Sequence, residues 1–146
     1  MIDFTIETRI DRSPEEVFDY VTDPDKLATW QTNTVSAVRE DDGPLRVGSR
    51  LREVHRAPGG KELESVVEVA GLERGRVFAL EVVEGSLPVD LRITLDGEGT
   101  GTLMRFRGHG RPRGAMRLAA PVFQRVLRRQ FASQCATLKQ LMEGAG

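Results

Sequence analysis

The chain has 146 residues, 39% of them apolar and 29% charged, with a formal net charge of −1; this is enough for one domain over residues 1–146 and too little for two cores. The start, MIDFTIETRI, lacks the basic head and apolar run of a signal peptide, and no later run reaches membrane-spanning length, so a cytoplasmic protein without membrane insertion is expected. Charge is unevenly spread, with 12 Lys+Arg against 21 Asp+Glu in residues 1–100 and 9 against Glu143 alone in residues 101–146; the basic third lacks Tyr and Trp for stacking, which argues against nucleic acid as a partner.

In chain order, Ile2, Phe4, Ile6, Thr8 and Ile10 alternate with Asp3, Thr5, Glu7 and Arg9, the period of a strand with one buried face. Ser13-Pro14-Glu15-Glu16 then supplies an N-cap serine, a proline at the first helical position and a capping-box glutamate. The short helix bears Val17, Phe18 and Val21 on one face. Asp23-Pro24 restarts the chain by the same device and puts Leu27 and Trp30 on one side of a second short helix. Helices this short need a larger surface to lie on.

That surface is a sheet. Segments 35–39, 50–56, 62–70, 76–83, 89–95 and 103–110 read as strands separated by DDGP, APGG, LERG and DGEGTG turns, hence an antiparallel meander. After HGRPRG the period changes. Met116, Leu118, Val122, Phe123, Val126, Leu127, Phe131, Leu138, Leu141 and Met142 recur at three- and four-residue steps of a long amphipathic helix. Pro121 inside that pattern predicts a kink, or a separate first turn over residues 114–120. Cys135 falls in the same pattern and reads as a small buried side chain.

Strand, two short helices, six antiparallel strands and a long helix is the element order of the helix-grip fold, in which a curved sheet wraps the last helix and leaves a cavity. The run Ser13-Pro14-Glu15-Glu16-Val17-Phe18-Asp19-Tyr20-Val21-Thr22-Asp23-Pro24 through Trp30, Val47-Gly48-Ser49 before a strand, Gly101-Thr102 opening the last strand and the 114–121 stretch resemble the polyketide cyclase/dehydrase family of the START and Bet v 1-like (SRPBCC) superfamily. The resemblance spans nearly the whole chain and implies an α+β helix-grip domain. Because that family holds carriers, cyclases and dehydratases, it implies a small-molecule site without choosing a chemistry.

Strand parity selects the side chains that can face such a cavity. Leu63, Ser65, Val67 and Val69 form one inward set; Phe78, Leu80 and Val82 another; Val89, Leu91, Ile93 and Leu95 a third; Met104 and Phe106 a fourth. Trp30 is a wall or lid residue, and Met116, Phe123 and Leu127 are the helix's contributions. Ordinary core packing is the competing account of each. A cavity of about 300 to 1,000 Å³ is typical of a small-molecule site, and burying roughly 300 Å² of apolar ligand would contribute about 7 kcal/mol before the entropic cost of association.

Among polar candidates, Glu53 and His55 share the Leu51 face of a strand whose other face carries Arg50, Arg52 and Arg56. A histidine beside a carboxylate can act as general acid or base. Both sit near the strand end, however, and residues i and i+2 are about 7 Å apart, so a solvated, separated pair is the expected state. Arg111, between the last strand and the long helix, can hold an anionic group at a cavity mouth. His109 has the parity of Arg105 and Arg107 and should face outward unless Gly108 marks a bulge. No HxH or HExxH spacing occurs, so no metal is expected; no phosphate loop or dinucleotide fingerprint occurs, so no cofactor is expected either. The expected ligand is a lipid-like or polyketide-like small molecule, with two alternatives: a cyclase or dehydratase using Glu53 and His55 as proton carriers, and an interaction domain using the basic third. The oligomeric state stays open.

Overall fold

The alternation at the N-terminus builds a strand. In the computed structural model, which describes residues 1–32, 34–56, 60–85, 89–111 and 116–144, β1 (Ile2–Ile10) buries Ile2, Phe4, Ile6 and Ile10 and exposes Asp3, Thr5 and Glu7. In α1 (Pro14–Val21), Ser13 Oγ accepts from the Glu16 N–H at 3.2 Å and the Glu16 carboxylate reaches back to the Ser13 N–H at 3.5 Å, a complete capping box. In α2 (Pro24–Trp30), Asp23 Oδ1 accepts from the Asp25 N–H at 3.0 Å. Both helices bury the faces expected: Val17, Phe18 and Val21 on the first, Leu27 and Trp30 on the second.

The remaining strands are β2 (Thr34–Arg39), β3 (Arg50–Arg56), β4 (Glu62–Glu73), β5 (Val77–Gly85), β6 (Asp90–Glu98) and β7 (Gly101–Gly110), followed by α3 (Met116–Gly144). They form one seven-stranded antiparallel sheet in the order β1-β7-β6-β5-β4-β3-β2. The architecture is the α+β helix-grip arrangement, a curved sheet and one long C-terminal helix. Strand β1 pairs with β7, Ile2 opposite Gly110 and Ile10 opposite Thr102. Its other edge is covered by α3: the Asp3 N–H donates to Gln124 Oε1 at 3.0 Å, Lys139 Nζ donates to the Arg9 carbonyl at 2.6 Å, and the Asp11 N–H donates to Glu143 Oε2 at 2.9 Å.

Three strands run further than their sequence signals. Strand β4 continues through Leu72 to Glu73, and the chain reverses where Gly75 takes φ +74°. Strands β6 and β7 likewise extend into DGEGTG, leaving Gly99 (φ +63°) at the reversal. The register shifts between Val66 and Val67 and between Val69 and Gly71. Each shift changes which residues face inward, so Val69 and Leu72, three apart, both pack on the core. Such bulges also bend the sheet.

The long helix differs in two respects. It is one continuous element from Met116 to Gly144 with Pro121 inside it, rather than a separate first turn and a second helix. Pro121 and Arg117 are both exposed, so the Arg117 carbonyl that the missing N–H would have bonded can be hydrated. Its apolar residues also do not share one face. Leu127, Phe131, Cys135, Leu138 and Met142 are buried, whereas Leu118, Val122 and Val126 are 90%, 68% and 51% exposed. At about 100° per residue these three point opposite to Leu127 and Phe131. Burial pushes the Cys135 thiol up to about 12, so it is inert at neutral pH.

Gly108 is not a bulge. The β1–β7 register runs unbroken with Phe4 opposite Gly108, and a Cβ at 108 would lie 2.5 Å from Phe4 Cζ. The glycine leaves room for the ring. His109 therefore keeps the parity of Arg105 and Arg107 on the outer face. Gly108→Ala should cost about 1–3 kcal/mol by overpacking, read by urea denaturation, and Phe4→Leu in the same chain should recover part of the loss; an unchanged midpoint would contradict the packing described.

Three carboxylates, Asp3 exposed and Asp41 and Glu143 half-buried, are held below their ordinary values: Asp3 by hydrogen bonds from Arg107, Asp41 by the Ser49 hydroxyl and Arg39, and Glu143 by Lys139 and the Asp11 N–H. A carboxylate lowered in the folded state stabilises it above the unfolded values of 3.8 for Asp and 4.5 for Glu, and that contribution is lost as pH falls through the lower folded ones. Thermal melts should therefore be flat from neutral pH to about pH 5 and fall below it. Asp3→Asn should make the acid-side fall shallower, and an unaltered slope would speak against the Asp3–Arg107 contribution.

Candidate functional site

Glu53 and His55 stand on β3 opposite Ser65 and Leu63 of β4, on the face that carries Leu51. The structure corrects the expectation that they are solvated and apart. Glu53 is 4% exposed and His55 9%, and His55 Nε2 lies 3.0 Å from Glu53 Oε1. The approach is close but off the line of a hydrogen bond, so the ring nitrogen has no hydrogen-bond partner. Burial comes from the segment that crosses the strand end. The register shift between Thr34 and Ser36 turns Thr34 inward opposite His55, and Gln31, capping α2, is itself buried. Thr34 Oγ1 is 3.4 Å from both His55 Nδ1 and Gln31 Oε1. The result is a polar row, Gln31–Thr34–His55–Glu53, inside the sheet. Ser65 Oγ beside it is also buried without a partner.

Gln31, His55 and Glu53 of this row form one wall of a cavity, with Thr34 behind them. The other walls are apolar: Val67, Leu80, Val82, Val89, Leu91 and Phe131. Its volume is about 30 Å³, well below the expected 300 to 1,000 Å³. By the ~10–15 Å³ that a water centre needs, it has room for one or two waters. The aromatics fill more than their number suggests, because they stack. Phe131 lies 5.7 Å from Phe4 and 5.1 Å from Phe106, centroid to centroid, and Trp30 meets Phe106 edge-on at 6.3 Å.

Of the residues singled out from the sequence, Glu53, His55, Val67, Leu80, Val82, Val89 and Leu91 line the cavity. Trp30, Leu51, Phe78, Ile93, Met104, Phe106 and Leu127 are buried in the core, with Phe123 packed against it and Leu63 half-buried. Trp30 is 1% exposed, so it is an interior residue rather than a lid. Arg111 is exposed and lines no part of the cavity, and the Met116 side chain lies outside the described residues. Sequence reasoning missed Gln31, Thr34 and Phe131 as lining or supporting residues. Phe131 carried a signal, as it sits in the helix pattern; Thr34 is hidden by the register shift.

The wall is weakest between β5 and β6. Their pairing runs only from Val77↔Thr94 to Leu80↔Leu91. Beyond it Asp90 Oδ1 accepts from the Val82 N–H at 2.8 Å in place of a backbone partner. Val82 and Val89, past the paired segment, both face the cavity. Among the described residues no group of His, Cys, Asp and Glu is arranged to hold a metal, and no helix is long and apolar enough to cross a membrane.

Phe131→Ala should cost about 3–5 kcal/mol and enlarge the cavity. Denaturant midpoints together with uptake of xenon or benzene by the folded protein would show both; a loss under about 1 kcal/mol would mean that the cluster does not hold the interior as described.

The architecture recurs in solved structures. TTHA0849 from Thermus thermophilus superposes with a TM-score of 0.82 at 18% identity, covering 99% of each chain. Ms6760 from Mycobacterium smegmatis gives 0.74 at 16% identity over 99% of this chain and 93% of that one. The Aha1 dimer from Colwellia psychrerythraea gives 0.70 at 20% identity over 98% and 97%. At these identities the likeness is one of fold. Comparison with curated proteins returns no match. The family model described as polyketide cyclase / dehydrase and lipid transport matches residues 1–143, and the chain, with its capped helix pair, seven-stranded sheet and long final helix, belongs to that family.

Proposed function

We propose that this protein binds a small, mostly apolar molecule, lipid-like or polyketide-like, that carries a hydrogen-bonding group, seated between β3–β6 and α3 with that group on Glu53 and His55. The observation that carries the reading is the buried pair itself. Among the described residues, His55 is the only charged or hydrogen-bonding contact of Glu53. Burying a carboxylate and leaving most of its acceptor capacity unfilled costs several kcal/mol. A ligand hydroxyl, directly or through a water, or a ligand carbonyl through a bridging water, would fill it. The family description, which names cyclisation, dehydration and lipid transport, supports the same ligand class.

The resting cavity is too small for such a molecule, so binding requires widening. The short β5–β6 pairing supplies the place, since Val82 and Val89 can separate with few ladder hydrogen bonds broken. Purification from the native host followed by native mass spectrometry tests the proposal, alongside titration with the apolar fluorophore N-phenyl-1-naphthylamine. A one-to-one adduct and saturable micromolar probe binding are expected, with Leu80→Trp weakening the probe about tenfold or more by filling the cavity. No adduct together with no saturable binding would sink the reading.

The 3.0 Å approach of His55 to Glu53 favours a second reading, a cyclase or dehydratase. Removal of a proton beside a carbonyl and expulsion of a hydroxyl as water need a base and an acid in one dry pocket. Deuterium exchange at the α-carbon of 2-tetralone, followed by NMR in D₂O, separates the two readings. A catalyst exchanges it and the Glu53→Gln variant does not, while a carrier binds without exchange.

A further inference from the structure

On the outer side of α3, Leu118, Val122 and Val126 follow one another at four-residue steps and are 90%, 68% and 51% exposed. They form an apolar stripe on the face opposite the core. Arg117, Arg125, Arg128 and Arg129 flank it and are exposed. On the sheet, by contrast, Arg50, Arg52, Arg56, Arg105 and Arg107 each face a carboxylate. Among the described residues the four helix arginines face none, and no acidic residue occurs between Glu98 and Glu143.

Beside the stripe lies a hollow of about 420 Å³, lined by Thr32, Arg125, Val126, Arg129, Gln130 and Ser133. Arg125 and Arg129, one turn apart, share its wall with hydroxyl and amide groups, which is the chemistry that holds a phosphodiester.

We propose that this ridge docks the protein onto an anionic phospholipid bilayer, with Leu118, Val122 and Val126 in the headgroup–acyl boundary and Arg125 and Arg129 on lipid phosphates. Apolar residues interleaved with arginine on a convex helix face are what an interfacial helix presents to such a surface. A second copy is disfavoured by charge, because apposing two such ridges symmetrically would bring eight arginines together with no carboxylate between them. The helix lies on the membrane and does not cross it. Strand β7 leads into α3 from the sheet end that carries Thr34, His55 and Leu63, so docking brings that end of the cavity toward the bilayer. The proposal stands independently of what the cavity holds.

The test is co-sedimentation of the full chain with vesicles of phosphatidylcholine alone or with about 30 mol per cent phosphatidylglycerol. Binding should be at least about tenfold stronger to the anionic vesicles and should fall steeply with salt. Arg125→Gln and Arg129→Gln should each weaken it about fivefold, and the double change Leu118→Ser with Val122→Ser about tenfold or more. All four side chains are exposed, so circular dichroism and melting should be unchanged. Equal binding to both vesicles, no binding at low salt, or indifference to these variants would overturn the proposal. So would a dimer in sedimentation velocity that the same variants dissociate without any vesicle binding, which would assign the ridge to a second copy.

Discussion

Phe131 stacks on Phe4 of β1 and packs at a tilt against Phe106 of β7, and Phe106 meets the edge of Trp30 at the end of α2. One side chain of α3 thus touches both strands of the seam where the first strand joins the last, and reaches the second helix through a single intermediary. The covered edge of β1, the seating of the short helices and the path of α3 all follow from this cluster. So does the site, because the aromatics fill the interior on their side of Phe131 and leave the other side to valines and leucines. There the interior is incompletely filled, and Phe131 is the wall between packed core and cavity.

The two faces of the sheet use charge differently. Outside, cross-strand pairs such as Arg50–Glu68, Arg105–Asp96 and Arg107–Asp3 are exposed, and each contributes little to stability. Their value lies in register, since a one-residue slip would oppose the wrong side chains and turn the apolar set to water. Inside, Glu53 and His55 are placed where charge is costly. Nothing in the core requires them there, as a leucine pair of similar volume would pack against Val67 and Leu80. The polar row is accordingly the feature on which the proposed ligand site rests.

The capped helices, the inward sets of β1, β3 and β6, and the long final helix were legible from local chemistry: caps, prolines and periodicity. Three things were not. Register shifts near Thr34, Val66 and Val69 break a parity that alternation alone assumes to be continuous, so Thr34 and Leu72 were hidden. The helix pattern over residues 116–142 merged two faces, because steps of three and four drift around the wheel and only the sheet decides which side is covered. The approach of Glu53 to His55 depends on neighbours that bury the strand end, and sequence spacing of i and i+2 does not contain them. Cavity size was misjudged for a related reason, as counting aromatics says nothing of their stacking.

The pairing of β1 with β7 has a consequence for how the molecule comes into being. Every other strand pairs with its neighbour in sequence, but Ile2 lies opposite Gly110, so β1 waits for the last of the seven strands before it can dock. During synthesis the meander of β2 to β7 can assemble as it emerges, while β1, with Phe4 and Ile6, stays unpaired until β7 has emerged. Closure of the seam and arrival of Phe131 are therefore late and coupled events, and the interval before them is when this protein is most exposed to misassembly.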